Sequence, residues 1–332
     1  MIVCRTPFRI SLFGGGTDYP SWFKSHGGEV LAASIDKYCH INCRELPPFF
    51  DHRYRVVWSK NELCKTIDEI SHPAVRAALN YMDINCGAEI FHIGDLPARS
   101  GIGSSSSFVV CLLHALHAMK GEMPSKRELA LESIHIEQNV LQETVGSQDQ
   151  FSAAYGGLNH IVFDKSGEIS VYPMTLHRER IYELESHLML FYTGIQRTAS
   201  EIASEYVQDL EDKSRQLQML SGAVKAATRI LSEKQDIVQL GELLHETWLI
   251  KKSLSAKVSN PQIDDIYELA RSAGAIGGKL TGAGGGGFFL LFVPPEKHPQ
   301  VLSKLNKLIH IPFAIEYSGS QVIFYSSEKR SL

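Results

Sequence analysis

The sequence predicts an α+β protein of two domains, and three observations lead to this prediction. The chain has 332 residues, 44% hydrophobic and 21% charged, which is enough for two domains of ordinary size. Its first hundred residues alternate strand-like runs with turn residues. From about residue 181 onward, long helices with polar faces dominate. We therefore expect one domain over residues 1–180 and a second over residues 181–332.

The strand predictions rest on short runs of β-branched and aromatic residues between turn residues. In the first domain these runs cover residues 2–13, 30–35, 38–46, 54–59 and 88–93, and a hairpin is expected over residues 156–164 and 169–174. In the second domain they cover residues 187–194, 287–295 and 321–327.

Helical spacing of apolar residues predicts two helices after the first strands. One covers residues 107–119, and the other opens on a capping box, Ser125 with Glu128, and continues to Gln142. The helices expected in the second domain cover residues 198–220, 222–233, 240–254 and 263–274. His114 and His117 share one helix face, and such an isolated pair is more often structural than metal-binding.

Charge and cysteine content exclude several classes of protein. A net charge of −4 gives no field that would draw the chain onto nucleic acid or an anionic membrane. The N-terminus lacks the features of a signal peptide, and no apolar run approaches the roughly 18 residues that span a bilayer. The six cysteines form no CxxC pair, so reduced thiols are expected. Together these features predict a cytoplasmic protein.

The stretch DLPARSGIGSSSSFVV, residues 95–110, is the first candidate for a binding site. Its glycines and serines run directly into a predicted helix, where unpaired amides and the helix dipole attract anions. Gly101 and Gly103 allow close approach of an oxygen, and a serine hydroxyl could ligate Mg²⁺. A phosphate cradle is one interpretation, and a Gly-Ser turn with an ordinary helix cap explains these residues equally well.

Common nucleotide-binding motifs do not account for this stretch. The pattern GxxxxGK[ST] fails near GGKL because Leu280 follows the lysine. The glycines from Gly282 to Gly287 satisfy GxGxxG formally, but they precede a strand instead of joining a strand to a helix. Neither a P-loop nor a Rossmann site is therefore predicted.

Two further stretches resolve this ambiguity. RTPFRISLFGGGTDYP covers residues 5–20, and GGKLTGAGGGGFFLLF covers residues 277–292. With Pro97 to Ser106, which is similar to PxxxGLGSSA, these stretches resemble the three motifs of the GHMP kinases, in the same order. The resemblance implies that family's two-domain α+β fold: an N-terminal domain with a left-handed βαβ unit and a ferredoxin-like C-terminal domain. It also implies ATP and Mg²⁺ as cofactors.

Within the family, the first motif resembles the sugar-kinase form, with Arg9 where mevalonate kinases carry lysine. GGGTD followed by HGGEVLAASIDKY is most similar to the branch that phosphorylates the anomeric hydroxyl of heptose 7-phosphate, and fucokinase-type enzymes share a related GGxTD. The alternatives are a kinase of an unphosphorylated sugar and a catalytically silent sugar-binding regulator. The expected partner is a small-molecule sugar, with a homodimer as one possible assembly.

The resemblance implies catalytic roles for two residues and a metal site at two others. Asp149 would accept the proton of the sugar hydroxyl or orient that hydroxyl, and Arg9 would stabilise the transferring phosphoryl group. Ser105 and Glu137 would hold Mg²⁺, and Glu137 precedes Asp149 by the twelve residues that separate the equivalent pair in galactokinases. Without the family, Asp149 would more simply be a helix cap or a solvated carboxylate.

The remaining site predictions concern ATP and the sugar. The residues expected to bind ATP belong to the second motif: Pro97, Ser100, Gly101, Ile102, Gly103, Ser104, Ser105 and Ser106. Those expected to bind the substrate are Gly15, Gly16, Thr17, Asp18, Lys37, Arg197, Gly284 and Gly285. Asp18 could instead form an Asx-turn. A phosphate on the sugar would need a further cation, for which the candidates are Lys37, Arg44, Arg99 and Arg197.

Overall fold

The computed structural model describes residues 1–195 and 211–326. Arg197, a predicted substrate-binding residue, and most of the predicted helix 198–220 lie outside the described residues. Among the described residues, no helix combines the length and the apolar character needed to cross a membrane.

Strands and helices are interspersed along the described residues. The strands are β1 (Ile2–Phe13), β2 (Gly28–Glu45), β3 (Tyr54–Val57), β4 (Asn61–Cys64), β5 (Ala88–Gly94), β6 (Leu158–Phe163), β7 (Ile169–Pro173), β8 (Leu188–Tyr192), β9 (Gly277–Leu280), β10 (Phe288–Phe292), β11 (Ile309–Ile311) and β12 (Gln321–Tyr325). The helices are α1 (Pro20–His26), α2 (Pro73–Tyr81), α3 (Ser104–Lys120), α4 (Lys126–Ile134), α5 (Gln148–Tyr155), α6 (Arg178–His187), α7 (Ser214–Ser232), α8 (Val238–Lys252), α9 (Pro261–Ser272) and α10 (His298–Lys304).

Strand β2 is one long strand where the sequence predicts two. Its first half pairs with β6 and its second half with β5, while β1 runs beside both halves. The register between β1 and β2 shifts between Pro7 and Phe8, so that Asp36 and Lys37 have no opposite residue. A bulge of this kind bends a strand without ending it. The break that the sequence predicts between the strand runs 30–35 and 38–46 is therefore a bulge within one strand.

The first sheet has the order β12-β1-β2-β5-β3-β4, with β6 on the other half of β2 and β7 beside β6. Its strands pair antiparallel except β3 with β5, which are parallel and are connected through β4 and α2. The second sheet has the order β11-β8-β10-β9 and is antiparallel. With helices after its first and third strands along the chain, it has the ferredoxin-like arrangement that the sequence predicts.

The two sheets separate between β7 and β8, around the predicted boundary at residue 180. The last strand, β12, nevertheless returns to the first sheet and pairs with β1. Side chains of α7 such as Leu217 and Val224 also belong to the same buried core as Leu12 and Val30 of the first sheet. The division at residue 180 as a domain limit remains a prediction, and the two halves share a packed interface.

Helix α3 positions the candidate cradle. It is apolar on most of its surface and is buried against β1, β2 and α5, as expected for a helix that is hydrophobic all round. The capping box predicted at the start of α4 is present, with the Ser125 hydroxyl accepting from the Glu128 amide and the Glu128 carboxylate accepting from the Ser125 amide. Helix α4 then continues as a π-helical segment, His135–Val140. Asp149, expected in a loop, lies in the first turn of α5.

Candidate active site

A glycine turn follows β1 and holds Asp18 inside the protein. Gly14 adopts a φ of +82°, and a Cβ there would lie 2.1 Å from the carbonyl oxygen of Glu29, so no other residue fits. The Thr17 hydroxyl donates to the Gly14 carbonyl at 2.8 Å. The Gly16 amide donates to Oδ1 of Asp18 at 3.0 Å. The alternative Asx-turn does not form, because it needs the amide two residues after Asp18, and Pro20 has none. Asp18 lines the cavity described below.

The Asp18 carboxyl is only 2% exposed, and its environment disfavours the charged form. Burial raises its pKa most, and the nearby charge of Asp149 raises it further, against the hydrogen bonds from Gly16 and Gln148. Gly146 lies directly against this carboxyl, and a Cβ there would stand 1.9 Å from Oδ2. Hydroxyl groups of a bound ligand that donate to Asp18 would favour its charged form over the protonated form.

Arg9 and Asp149 form a bidentate pair at the centre of the site. Nε of Arg9 donates to Oδ1 of Asp149 at 2.7 Å, and Nη2 donates to Oδ2 at 2.8 Å. Nη1 of Arg9 donates to the Gly101 carbonyl at 2.7 Å, which ties the pair to the predicted cradle. The Arg9 side chain is 5% exposed and that of Asp149 is 23% exposed. The aspartate is therefore the more exposed member of the pair, and both residues line the cavity described below.

The cradle has the geometry expected of an anion site. Helix α3 begins at Ser104, and Gly101 and Gly103 have φ of +81° and +72°, which glycine adopts without strain. The first amides of a helix have no partner within the helix, so the amides at the start of α3 are available to a ligand. Ser100 fixes the turn by donating to the Pro97 carbonyl at 2.6 Å.

The third glycine loop packs against this cradle. A Cβ on Gly101 would lie 2.5 Å from the Thr281 carbonyl oxygen, and one on Gly282 would lie 2.5 Å from Cα of Gly101. The Phe288 amide also donates to the Ser100 carbonyl at 3.2 Å. These contacts require glycine on both sides and join β9 and β10 to the start of α3.

The predicted substrate role of Gly284 and Gly285 finds no such support. The Gly285 amide donates to the Val258 carbonyl at 2.9 Å, and a Cβ on Gly284 would lie 2.7 Å from the same oxygen. The residues of this loop that line the cavity are Gly282 and Ala283.

Glu137 lies in the π-helical segment after α4, a type of distortion that is frequent at functional sites. Its carboxylate accepts from the Ser106 hydroxyl at 3.1 Å and from the Gln150 amide at 2.6 Å. Burial raises its pKa to about 7. Ser106, and not the predicted Ser105, is the serine that contacts Glu137, while Ser105 is exposed at the start of α3.

The donor set around Glu137 suits Mg²⁺ held jointly with phosphate. Mg²⁺ takes oxygen ligands and commonly binds through one or two carboxylates, several waters and the phosphates of the substrate. Glu137 and Ser106 supply a carboxylate and a hydroxyl. Oε1 of Gln150 is buried beside them and finds no hydrogen-bond partner among the described residues. A cation would also favour the charged form of Glu137.

One cavity collects most of the predicted residues. Those that line it are Arg9, Gly15, Gly16, Asp18, Gly101, Gly103, Ser104, Ser105, Ser106 and Asp149. Among the described residues, the predicted residues outside this lining are Pro97, Ser100, Ile102, Thr17, Glu137, Lys37, Gly284 and Gly285. Three of these support the lining. Thr17 and Ser100 hold the two turns, and the Ile102 carbonyl accepts from the Arg9 amide at 3.0 Å.

The basic residues proposed to bind a sugar phosphate also divide into those that line the cavity and those that do not. Lys37 pairs with Asp36 at 2.8 Å, and Arg44 pairs with Glu89 at 2.6 Å, both away from the cavity lining. Arg99 lines the cavity mouth with an exposed side chain. Of the candidates that the structure describes, Arg99 alone reaches the cavity.

Sequence reasoning missed two lysines that line the cavity, Lys251 and Lys279. Lys251 lies on the last turn of α8, and Lys279 lies in β9. A signal for Lys251 exists, because it follows Leu244 and Trp248 at helical spacing on the apolar face of α8. For Lys279 the only local signal is its position inside GGKL, directly before the third loop.

An amide cradle at a helix start, a buried arginine–aspartate pair and a carboxylate with a hydroxyl for a divalent cation are together typical of a phosphotransferase. A model of the GHMP kinases N terminal domain matches residues 65–157, and a model of the GHMP kinases C terminal region matches residues 223–310.

Whole-length relatives agree with these matches. The D-glycero-alpha-D-manno-heptose 7-phosphate kinase of Campylobacter jejuni is 30% identical over 91% of this chain and 92% of its own length. The L-fucokinase/L-fucose-1-P guanylyltransferase of Bacteroides fragilis is 28% identical over 92% of this chain and 35% of that longer protein. The crystal structure of a D-glycero-D-manno-heptose 1-phosphate kinase from Bacteroides thetaiotaomicron is 25% identical, with a TM-score of 0.78 over 98% of this chain and 100% of the other.

The chain therefore belongs to the GHMP kinase family, and its two-domain α+β fold is confirmed. Kinases of this family use ATP as the phosphate donor. Over its whole length this member is similar to the family's sugar kinases.

Proposed function

We propose that this protein transfers the γ-phosphoryl group of ATP to the anomeric C1 hydroxyl of a sugar, and that the sugar is D-glycero-D-manno-heptose 7-phosphate. The product would be the 1,7-bisphosphate. The observation that carries the proposal is the bidentate contact of Arg9 with Asp149 beside the amide cradle, at 2.7 Å and 2.8 Å. It supplies a carboxylate for the acceptor hydroxyl and a cation for the transferring group at one point.

Asp149 is the group that would receive or orient the acceptor hydroxyl. Its side chain is 23% exposed to the cavity, and both of its oxygens are held by Arg9. Fixing both oxygens removes rotation of the carboxylate, so an incoming hydroxyl meets an aligned acceptor. Arg9 is shared between Asp149 and the Gly101 carbonyl, which brings its positive charge next to the cradle.

The cradle residues Gly101 to Ser106 would bind the phosphates of ATP through the free amides at the start of α3. Glu137 and Ser106 would hold Mg²⁺, with the exposed Ser105 close by on the same turn, and the cation would supply charge neutralisation for the phosphates. Asp18, with the turn of Gly15, Gly16 and Thr17, would bind sugar hydroxyls from the opposite wall.

The heptose 7-phosphate assignment rests on the whole-length similarity to kinases with heptose phosphates in their names. A kinase of an unphosphorylated sugar is the second candidate, and the similarity to a fucokinase over 92% of the chain favours it. A silent regulator is disfavoured, because Arg9, Asp149 and Glu137 are all present and in contact with plausible partners.

A substrate panel tests the proposal. ADP release is measured with purified protein, ATP, Mg²⁺ and each of four acceptors: heptose 7-phosphate, heptose, fucose and galactose. We expect the highest kcat/KM with heptose 7-phosphate, and NMR of the product should locate the new phosphate on C1. A clear preference for an unphosphorylated sugar contradicts the substrate assignment. Binding of ATP and sugar without turnover favours the regulator.

A homodimer, which the sequence allowed for, remains a prediction that light scattering of the purified protein would test.

A further inference from the structure

We propose that the ammonium groups of Lys251 and Lys279 together bind a phosphate group at the floor of the cavity. The proposal rests on the proposed kinase function and deepens it. The proposed reaction brings two phosphate sources here, the γ-phosphate of ATP and the phosphate carried by the acceptor. Both have the same recognition chemistry, and the experiment below separates them.

The two lysines are built into the fold and point to one place. They are 7% and 5% exposed, and both line the same cavity as Arg9 and Asp18. Nζ of Lys251 donates to the carbonyls of Gly282 and Leu280, the latter at 3.3 Å. Nζ of Lys279 donates to the Leu12 carbonyl at 3.1 Å. Lys251 is therefore anchored to β9 and the third glycine loop, and Lys279 is anchored to the end of β1.

Their hydrogen-bonding capacity is not used up by the described protein atoms. An ammonium has three N–H donors, so two lysines have six. Protein carbonyls accept two hydrogen bonds from Lys251 and one from Lys279. Three of the six N–H groups are therefore left without an acceptor among the described residues. These groups are buried, and a buried donor without an acceptor costs about 1–3 kcal/mol. A ligand oxygen is the partner that would remove this cost.

The charges around the lysines also call for an anion. In the part of the chain that the structure describes, neither lysine forms an ion pair, whereas Arg9 is paired with Asp149. The inner cavity then holds Arg9, Lys251 and Lys279 against the carboxyl groups of Asp18 and Asp149. Arg99 and Glu143 at the mouth attract each other and do not change this balance.

The titration behaviour of the lysines agrees with this geometry. Burial lowers the pKa of Lys251 to about 7, and the positive charge of Arg9 lowers it further against the opposite effect of Asp18. Burial and the charges of Lys251 and Arg9 lower the pKa of Lys279 as well. A phosphate beside the two groups would favour their charged forms and take up the surplus positive charge.

A phosphate fits better than a singly charged ligand because several donors converge. Gly282, whose carbonyl accepts from Lys251, lies against Gly101 of the cradle, and Arg9 contacts the same glycine. A dianion with three terminal oxygens can accept from the free N–H groups of both lysines at once.

The test compares Lys251→Met and Lys279→Met with the wild type and with Lys252→Met. Lys252 is the next residue on α8, is half-buried and pairs with Asp264 at 3.0 Å outside the cavity lining, so it is a matched control. Kinetics are measured with ATP and with two acceptors, heptose 7-phosphate and heptose. We expect a 10- to 100-fold loss of kcat/KM in each cavity variant and less than a twofold change in the control.

The pattern of the loss identifies the phosphate. A rise in KM confined to heptose 7-phosphate assigns the lysines to the acceptor phosphate. A loss with both acceptors, together with weaker ATP binding or lower kcat, assigns them to the γ-phosphate. Kinetics within twofold of the wild type for ATP and both acceptors overturn the proposal.

Stability and substrate choice are controlled separately. Methionine removes a buried charge and keeps the chain length, so the thermal midpoint without ligand should not fall. Inorganic phosphate should raise the midpoint of the wild type and of Lys252→Met more than that of the cavity variants; equal shifts in all four proteins overturn the proposal.

If the wild type rejects heptose 7-phosphate but the cavity variants lose turnover on another sugar, the substrate assignment fails and the lysine site stands. The lysine site alone fails if heptose 7-phosphate is the preferred acceptor of the wild type and the cavity variants keep the wild-type kcat/KM for it and the wild-type KM for ATP.

Discussion

The two halves of the molecule, residues 1–180 and 181–332, both contribute buried cations to one cavity, but they hold them in different ways. Arg9 of β1 is bound by both oxygens of Asp149. Lys251 of α8 and Lys279 of β9 donate only to backbone carbonyls among the described residues. The three residues are buried to a similar degree, at 4%, 7% and 5% exposure, so burial does not distinguish them.

The difference separates two tasks that a kinase must perform. A bidentate ion pair fixes geometry before any ligand arrives, and removing one partner of a buried pair costs about 3–5 kcal/mol. An unpaired buried ammonium gives no such rigidity, but it keeps its attraction for an incoming anion. We therefore expect Arg9 and Asp149 to act in the chemical step and the lysines to act in binding.

Substitution of Asp149 removes the partner of Arg9 and should have the largest effect on kcat. Asp149→Asn keeps the shape but cannot accept a proton and no longer balances Arg9, so we expect kcat to fall by about 10²- to 10⁴-fold. The measurement is ADP release at saturating ATP and sugar. Asp68→Asn, at an exposed position, is the control and should retain wild-type kcat. An unchanged kcat in Asp149→Asn would show that this carboxylate takes no part in the chemical step.

Substitution of Gly101 disrupts the contact between the cradle and Thr281 before the third glycine loop. Gly121, at the other end of α3, is the control. Gly101 and Gly121 flank α3 with φ of +81° and +77°, so alanine is strained at both by about 1–2 kcal/mol. A Cβ meets the Thr281 carbonyl at 2.5 Å only at Gly101, and meets nothing within 4 Å at Gly121.

We therefore expect Gly101→Ala to lower the thermal midpoint more than Gly121→Ala and to raise KM for ATP, which Gly121→Ala should leave unchanged. The two quantities are obtained from thermal unfolding and from initial rates at varied ATP. Equal midpoints and equal KM values in the two variants would mean that the third loop does not support the cradle.

Sequence alone predicts the start of α3 because that signal is local, whereas the phosphate cradle is predicted only from the resemblance of three separated motifs. Glycines and serines directly before an apolar helical run define a helix start, and α3 begins at Ser104 as this pattern requires. The choice between Ser105 and Ser106 for Glu137 is not local. Successive helical residues are rotated by about 100°, so the packing of α3 against the π-helical segment decides which serine faces the carboxylate.

The lysines lie beyond sequence reasoning for a related reason. Lys251 lies on the apolar face of α8, which is visible in the spacing, but what that face covers depends on β9 and the third loop. The contact of Lys279 with Leu12 joins residues 267 positions apart. The bulge in β2 is also invisible in the sequence. Asp36 and Lys37 are recognised as unpaired only once the register of β2 against β1 is known.

Two histidines on α3, His114 and His117, provide the prediction with the smallest expected effect. They test how ion pairing and burial change the pKa of a basic group. Nδ1 and Nε2 of His117 lie 2.7 Å from carboxylate oxygens of Glu122 and Glu132, and these carboxylates raise its pKa. His114 is half-buried beside Ser320, and its partial burial lowers its pKa to about 4. His117 is thus the paired case, as Arg9 is, and His114 is the unpaired case, as Lys251 is.

The two pKa shifts have opposite consequences for stability. A raised folded-state pKa contributes stability that is full below the unfolded value near 6.5 and is lost as pH rises through the folded value. A lowered one contributes stability above 6.5 that is lost as pH falls toward about 4. In His117→Asn the loss of thermal midpoint should therefore be larger at pH 5.5 than at pH 9, by about 2 °C. In His114→Asn it should be larger at pH 9. Losses that do not change with pH in either variant would mean that carboxylate pairing, in this fold, does not set the charge of a buried basic group.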